Sequence, residues 1–177
     1  MNHFFFFYQT VFKRIRLRLP FNSFEREFLT EINVAPAQLH SNSCAFSIIC
    51  NHFGHFPSVD VFLHFFEAKN PGKNLWVSFS GVTGRVILTL FQQSYKGFKG
   101  KFFRVCCSEH DRTLFPLYWV GKLKLKKAKT LDKLSPVDRG VCQVLASLGV
   151  IFNTAEITKN EYNPTGLAGY IGIGILS

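Results

Sequence analysis

The first clear pattern runs from Phe21 to Ile32. Phe21, Phe24, Phe28, Leu29 and Ile32 recur at the spacing of one helical face, and Glu25, Arg26, Glu27 and Glu31 fall away from it. Asn22 heads this stripe, with Glu25 three residues on, the form of a capping box. A helix is therefore predicted over residues 22–32, ending at Val34-Ala35-Pro36. Residues 37–53 hold an apolar centre from Cys44 to Cys50 whose period suits neither element better than the other. Ser58 caps a second predicted helix, residues 59–68, with Val59, Phe62, Leu63, Phe65 and Phe66 as its apolar set. Asn70-Pro71-Gly72 then marks a turn.

Beyond that turn the texture changes to short runs rich in β-branched and aromatic residues. Strands are predicted near residues 75–79, 86–91, 102–106 and 117–120. Ser135-Pro136 opens a last helix over residues 137–148, with Gly149 after it. Helices, then strands, then a helix is an α+β order and not an alternating one. The expectation is a single domain of short helices followed by a small, mostly antiparallel sheet and a C-terminal helix. Residues 19–160 form that domain. Residues 1–18 are set apart as a basic, aromatic tail and residues 161–177 as a Gly-rich tail.

Composition narrows the class. The chain has 177 residues, 47% of them hydrophobic and 18% charged, which excludes a wholly disordered protein and suits one domain. It has 21 Phe, and only 11 acidic residues to supply acid–base pairs or metal cages. The net charge of +10 is uneven: residues 1–18 carry +4 and residues 95–133 carry +8, while the stretches between and after them are each −1. Local positive charge of that size favours polyanions. Five cysteines without a secretory pattern lead to the expectation of reduced thiols and an intracellular location, cytoplasm or nucleus. The apolar run from Phe4 to Tyr8 is far too short to span a bilayer, so no transmembrane segment is expected.

Catalytic and metal patterns are weak. Cys44, Cys50, His52 and His55 are spaced C-x5-C-x-H-x2-H, which fits no common zinc site. There is no G-x-S-x-G elbow and no phosphate loop. No catalytic residue, metal, cofactor or small-molecule substrate is expected from the sequence. The most informative stretch lies at residues 95–104, YKGFKGKFFR, where aromatic and basic residues interleave. Aromatic faces can stack on bases while Lys and Arg meet phosphates. The candidate nucleic-acid contacts are Lys96, Phe98, Lys99, Lys101, Phe102 and Arg104. Lys122, Lys124, Lys126 and Lys127 join them from an alternating run that reads as an exposed edge strand.

Several ordered motifs together resemble the gypsy-type transposon domain of plants, a retrotransposon Gag-like family. They are Pro20-Phe21, Phe24 to Leu29, Val34-Ala35-Pro36-Ala37-Gln38-Leu39, Asn42-Ser43, Pro57-Ser58-Val59, His64-Phe65-Phe66, Trp76-Val77-Ser78-Phe79 and Lys96-Gly97-Phe98-Lys99. The resemblance covers roughly residues 19–120. It implies a non-enzymatic, transposon-derived interaction domain whose partners are nucleic acid or a second copy of itself, and it carries over no catalytic residue. The alternative expectation is a sequence-tolerant nucleic-acid-binding module built on residues 95–133.

Overall fold

A computed structural model gives the structure of the chain and describes residues 3–9, 19–38, 41–69, 77–89, 101–107, 113–120, 124, 126–160 and 165–167. The first helix, α1 (Ser23–Ile32), forms where the apolar stripe predicts it. The Glu25 amide donates to the Asn22 side-chain oxygen at 2.8 Å, and the Asn22 amide donates back to the Glu25 carboxylate at 2.9 Å. Two amides that a helix start leaves orphaned are thus satisfied reciprocally. Asn33 ends the helix in the left-handed region at φ 57°. Phe24, Phe28, Leu29 and Ile32 face the core.

A 3-10 turn (Pro36–Gln38) leads to α2 (Ser41–His52). Cys44, Ala45, Phe46, Ile49 and Cys50 of α2 are all buried, as are Asn42 and Ser43. A helix enclosed on every side shows no amphipathic period, which is why residues 37–53 read ambiguously. Next comes α3 (Val59–Phe65), with Ser58 accepting from the Val61 amide at 3.1 Å. It stops three residues short of expectation. From Phe66 the backbone is extended and forms β2 (Phe66–Lys69), antiparallel to β3 (Ser78–Gly81) with Phe66 opposite Gly81. Phe66 still stacks on Phe62, ring centres 4.7 Å apart, so pairing with β3 is gained without losing the apolar contact.

Three more of the described strands precede the last long helix. These are β1 (His3–Tyr8), β4 (Leu88–Thr89) and β5 (Phe102–Cys107). After a 3-10 turn (Leu131–Lys133), α4 (Pro136–Ser147) starts at Ser135 and Pro136 as predicted. A short β6 (Phe152–Asn153) and α5 (Thr154–Asn160) then close the described fold, apart from three helical residues at 165–167. The fold is α+β, and the described strands are held in three two-stranded sheets: β1–β5 and β2–β3 antiparallel, β4–β6 parallel. Of the predicted strand 75–79 only residues 77–79 are described, and of 86–91 only residues 86–89.

Two expectations are corrected. Residues 117–120 form no strand. Nor do the described residues of the lysine run that follows form a free edge strand. They cross the helices as a strap: the Lys124 amide donates to the Ile32 carbonyl at 3.1 Å and the Lys129 amide to the Leu63 carbonyl at 2.8 Å. The segment set apart as an N-terminal tail contributes β1, whose Phe5 and Phe7 lie in the core.

The phenylalanine excess has a packing explanation. Phe62 is a hub, its ring 5.1–6.4 Å from those of Phe24, Phe28, Phe46 and Phe79, with Phe66 closer still. A second group joins Phe5, Phe7, Phe21 and Phe115 beneath the β1–β5 ribbon. Edge-to-face and tilted contacts of this kind add to the area each ring removes from water.

Candidate nucleic-acid interface

Side chains alternate across a strand, so β1 divides its four consecutive phenylalanines between two faces. Phe5 and Phe7 turn inward. Phe4 and Phe6 turn outward, and Phe6 is 43% exposed. The register Phe4↔Cys106, Phe6↔Arg104 and Tyr8↔Phe102 puts Cys106, Arg104 and Phe102 on the same outer face. Phe102 is 53% exposed. The ribbon therefore carries an apolar inner face that seals the second aromatic group and an aromatic–basic outer face.

The outer rings form a row. Phe102 lies 5.1 Å from Phe6, Phe6 lies 5.5 Å from Phe4, and Phe4 lies 6.3 Å from Tyr118, each pair edge-to-face. The Arg104 guanidinium sits over Phe4, 4.0 Å from the ring centre. Lys101 is exposed at the start of β5, where its carbonyl accepts from the Gln9 amide at 2.8 Å. Residues 3–9 and 101–107 contain no acid. A face of this kind offers rings to bases and cations to phosphates.

The ten residues proposed from sequence are thus distributed over separate places. Lys101, Phe102 and Arg104 come together on or beside β5. Lys96, Phe98, Lys99 and Lys122 lie outside the described residues. Lys124, Lys126 and Lys127 belong to the strap, and acids partly neutralise that element. Lys126 pairs with Glu31 at 2.7 Å and Lys129 pairs with Asp60. The hydrogen bond and charge of Lys126 hold the Glu31 carboxyl below its usual range. Lys124 and Lys127 remain exposed.

Sequence reading missed Phe4, Phe6 and Tyr118 as members of one face. The available signal was compositional: residues 1–18 and 95–104 share an aromatic, basic, acid-free character. Of the cysteines and histidines weighed as metal ligands, Cys44 and Cys50 are buried while His52 is exposed. Among the described residues no group of three or more His, Cys, Asp or Glu could hold a metal ion. Among the same residues no helix is long and apolar enough to cross a membrane. Compared with family models, curated proteins and solved structures, the chain gives no match.

Proposed function

We propose that this chain is a non-enzymatic binding module that takes single-stranded nucleic acid on the outer face of the β1–β5 ribbon, with little preference for sequence. One observation carries the reading: Phe4, Phe6, Phe102 and Arg104 share a solvent-facing surface without a carboxylate in either strand. Stacking on aromatic rings tolerates any base, because every base has a π-face. A duplex keeps its bases stacked on one another and has less to gain from such rings.

The ends of the ribbon support the same reading. The chain leaves β1 and enters β5 at one end of the ribbon, where Tyr8 faces Phe102. The sequences joined to that end, residues 10–18 and 90–100, carry six basic residues and no acid.

Fluorescence anisotropy with a short single-stranded oligonucleotide tests the proposal. The expected result is saturable binding at low ionic strength that weakens steeply as salt is added, with a matched duplex binding less tightly. Each phosphate contact should contribute a slope of about −0.7 in log K against log salt. Absence of binding at low salt would end the proposal.

A second reading, a Gag-like domain of transposon origin that self-associates, follows from the family resemblance and has one structural observation in its favour. Phe56 is 91% exposed and Val137 is 77% exposed. Both stand close in sequence to the Ser58–Asp138 hydrogen bond of 2.8 Å that joins the start of α3 to α4. Light scattering that gives a monomer mass at high protein concentration would remove this second reading.

A further inference from the structure

A separate cleft opens between the turn at residues 84–87 and the end of α4 with residues 149–151, and His64 and Phe65 of α3 also line it. Gly84 and Gly149 hold positive φ angles of 77° and 65°, so the two turns that flank the cleft depend on backbone freedom there. Its volume is about 240 Å3. Val86, Ile87, Leu145, Val150 and Ile151 give it an apolar side, and polar atoms line nearly as much of it.

Among the described residues one Arg or Lys side chain, Arg85, lines this cleft. Arg85 donates from one terminal nitrogen to the carbonyls of Lys129 at 3.1 Å and His64 at 3.4 Å. The ion pairs among the described residues are Lys126–Glu31, Lys129–Asp60 and Lys159–Glu156, and none includes Arg85. Its other terminal nitrogen and Nε make no hydrogen bond among the described residues. His64 Nδ1 lies 3.0 Å from the Lys129 carbonyl and donates to it. Burial, together with the Arg85 charge, favours the neutral imidazole. Among the described residues the cleft therefore presents one guanidinium with donors to spare, no carboxylate, and an apolar side formed by Val86, Ile87 and Leu145.

A guanidinium fork matches a carboxylate in two parallel hydrogen bonds. Sites for drug-sized ligands run to roughly 300–1,000 Å3, so this smaller space selects a compact molecule. We propose that the cleft binds a small carboxylic acid with an apolar body, its carboxylate on Arg85 and its body against Val86, Ile87 and Leu145. This site is independent of the ribbon face and does not rest on the nucleic-acid reading.

The test is a nitrogen-edited NMR titration of the full chain with benzoate, and with benzamide as the uncharged molecule of the same shape. Benzoate should shift the Arg85 Nε–H and the amides of residues 84–87 and 145–151 saturably, with a Kd of about 1 mM or tighter. Benzamide should bind about tenfold more weakly, since it lacks the charge-assisted pair. Arg85→Gln should reduce benzoate to the level of benzamide. Because Arg85 also ties two carbonyls, a second variant guards against a folding defect: Ala146→Phe fills the cleft, leaves Arg85 in place and should abolish benzoate binding without moving the melting temperature. The proposal is overturned if wild type shows no saturable shifts in the cleft or binds both molecules equally. It is also overturned if benzoate binding survives Ala146→Phe.

Discussion

Arg104 on β5 reaches diagonally across the ribbon to cover the ring of Phe4 on β1, 4.0 Å from its centre, although its direct cross-strand partner is Phe6. The contact links the charge and the aromatic row on the outer face. It holds the guanidinium beside Phe4 without a carboxylate, so its hydrogen-bonding edge stays open to an anion.

The two faces of the ribbon should separate cleanly on mutation. Phe6→Ala and Phe102→Ala should each weaken single-strand binding by about 1–3 kcal/mol while leaving thermal melting close to wild type. Phe7→Ala, on the inner face and fully buried, should instead cost about 3–5 kcal/mol of stability. Anisotropy and melting on the three variants check both halves. Melting of Phe6→Ala as low as that of Phe7→Ala would show that the outer ring belongs to the core.

Salt dependence should assign the charges. Lys101→Ala and Arg104→Ala should each flatten the slope of log K against log salt by about 0.7 if each side chain neutralises one phosphate. Lys126→Ala should change the slope less, because its ammonium is already engaged by Glu31 at 2.7 Å. An equal loss for all three would place the polyanion on the strap as well as on the ribbon.

How legible was this in the sequence? The α1 helix was readable to its cap, because Asn22 and Glu25 satisfy local amides and the apolar stripe has a single face. The start of α4 was equally local, set by Ser135 and Pro136. The α2 helix was not, since its surroundings bury every side and erase the period. The end of α3 was missed because pairing with β3, distant in sequence, decides where Phe66 goes. Most instructive is β1: four consecutive phenylalanines contain no visible alternation, yet the strand exposes Phe6 and buries Phe5 and Phe7. The outer face depends on a register between residues about a hundred positions apart, so composition could suggest a binding role but could not place it. Lys101, Phe102 and Arg104 were legible as candidates because their own segment is aromatic and basic. Phe4, Phe6 and Tyr118 needed the fold.

The capping box gives a measurable local contribution. Asn22→Ala should lower stability by about 1 kcal/mol, and Asn22→Ser should recover most of it. Chemical denaturation of the two variants checks this, with an unchanged midpoint for Asn22→Ala as the contrary result.

His64 should make stability fall in mild acid. Burial first, then the Arg85 charge, lower its pKa below the ordinary 6.5, against the opposing hydrogen bond to Lys129. As pH drops through 6.5 the unfolded chain takes up a proton that the folded imidazole resists, so the unfolded state gains. The fall should be present in wild type and reduced in His64→Gln. Identical pH profiles for the two proteins would contradict this assignment.

Thiol reactivity should sort the cysteines by environment. Burial pushes the Cys50 and Cys142 thiols up to about 12, with Cys142 adding to the rise at Cys50 and Asp138 to the rise at Cys142. Cys106 is exposed on the outer face of the ribbon. Under native conditions an alkylating reagent should modify Cys106 well before Cys50 or Cys142, which should react only on unfolding. Peptide mass spectrometry reads the order directly, and early labelling of Cys50 would contradict the packing of α2.

The central claim is the location of the binding face, and photo-crosslinking tests it most directly. The full chain is irradiated with a single-stranded oligonucleotide carrying a photoreactive pyrimidine, and the modified peptides are mapped by mass spectrometry. The account predicts adducts on β1 and β5, at Phe4, Phe6 or Phe102, that disappear when salt displaces the oligonucleotide. Adducts confined to the strap at residues 124–129, or to α4, would contradict it.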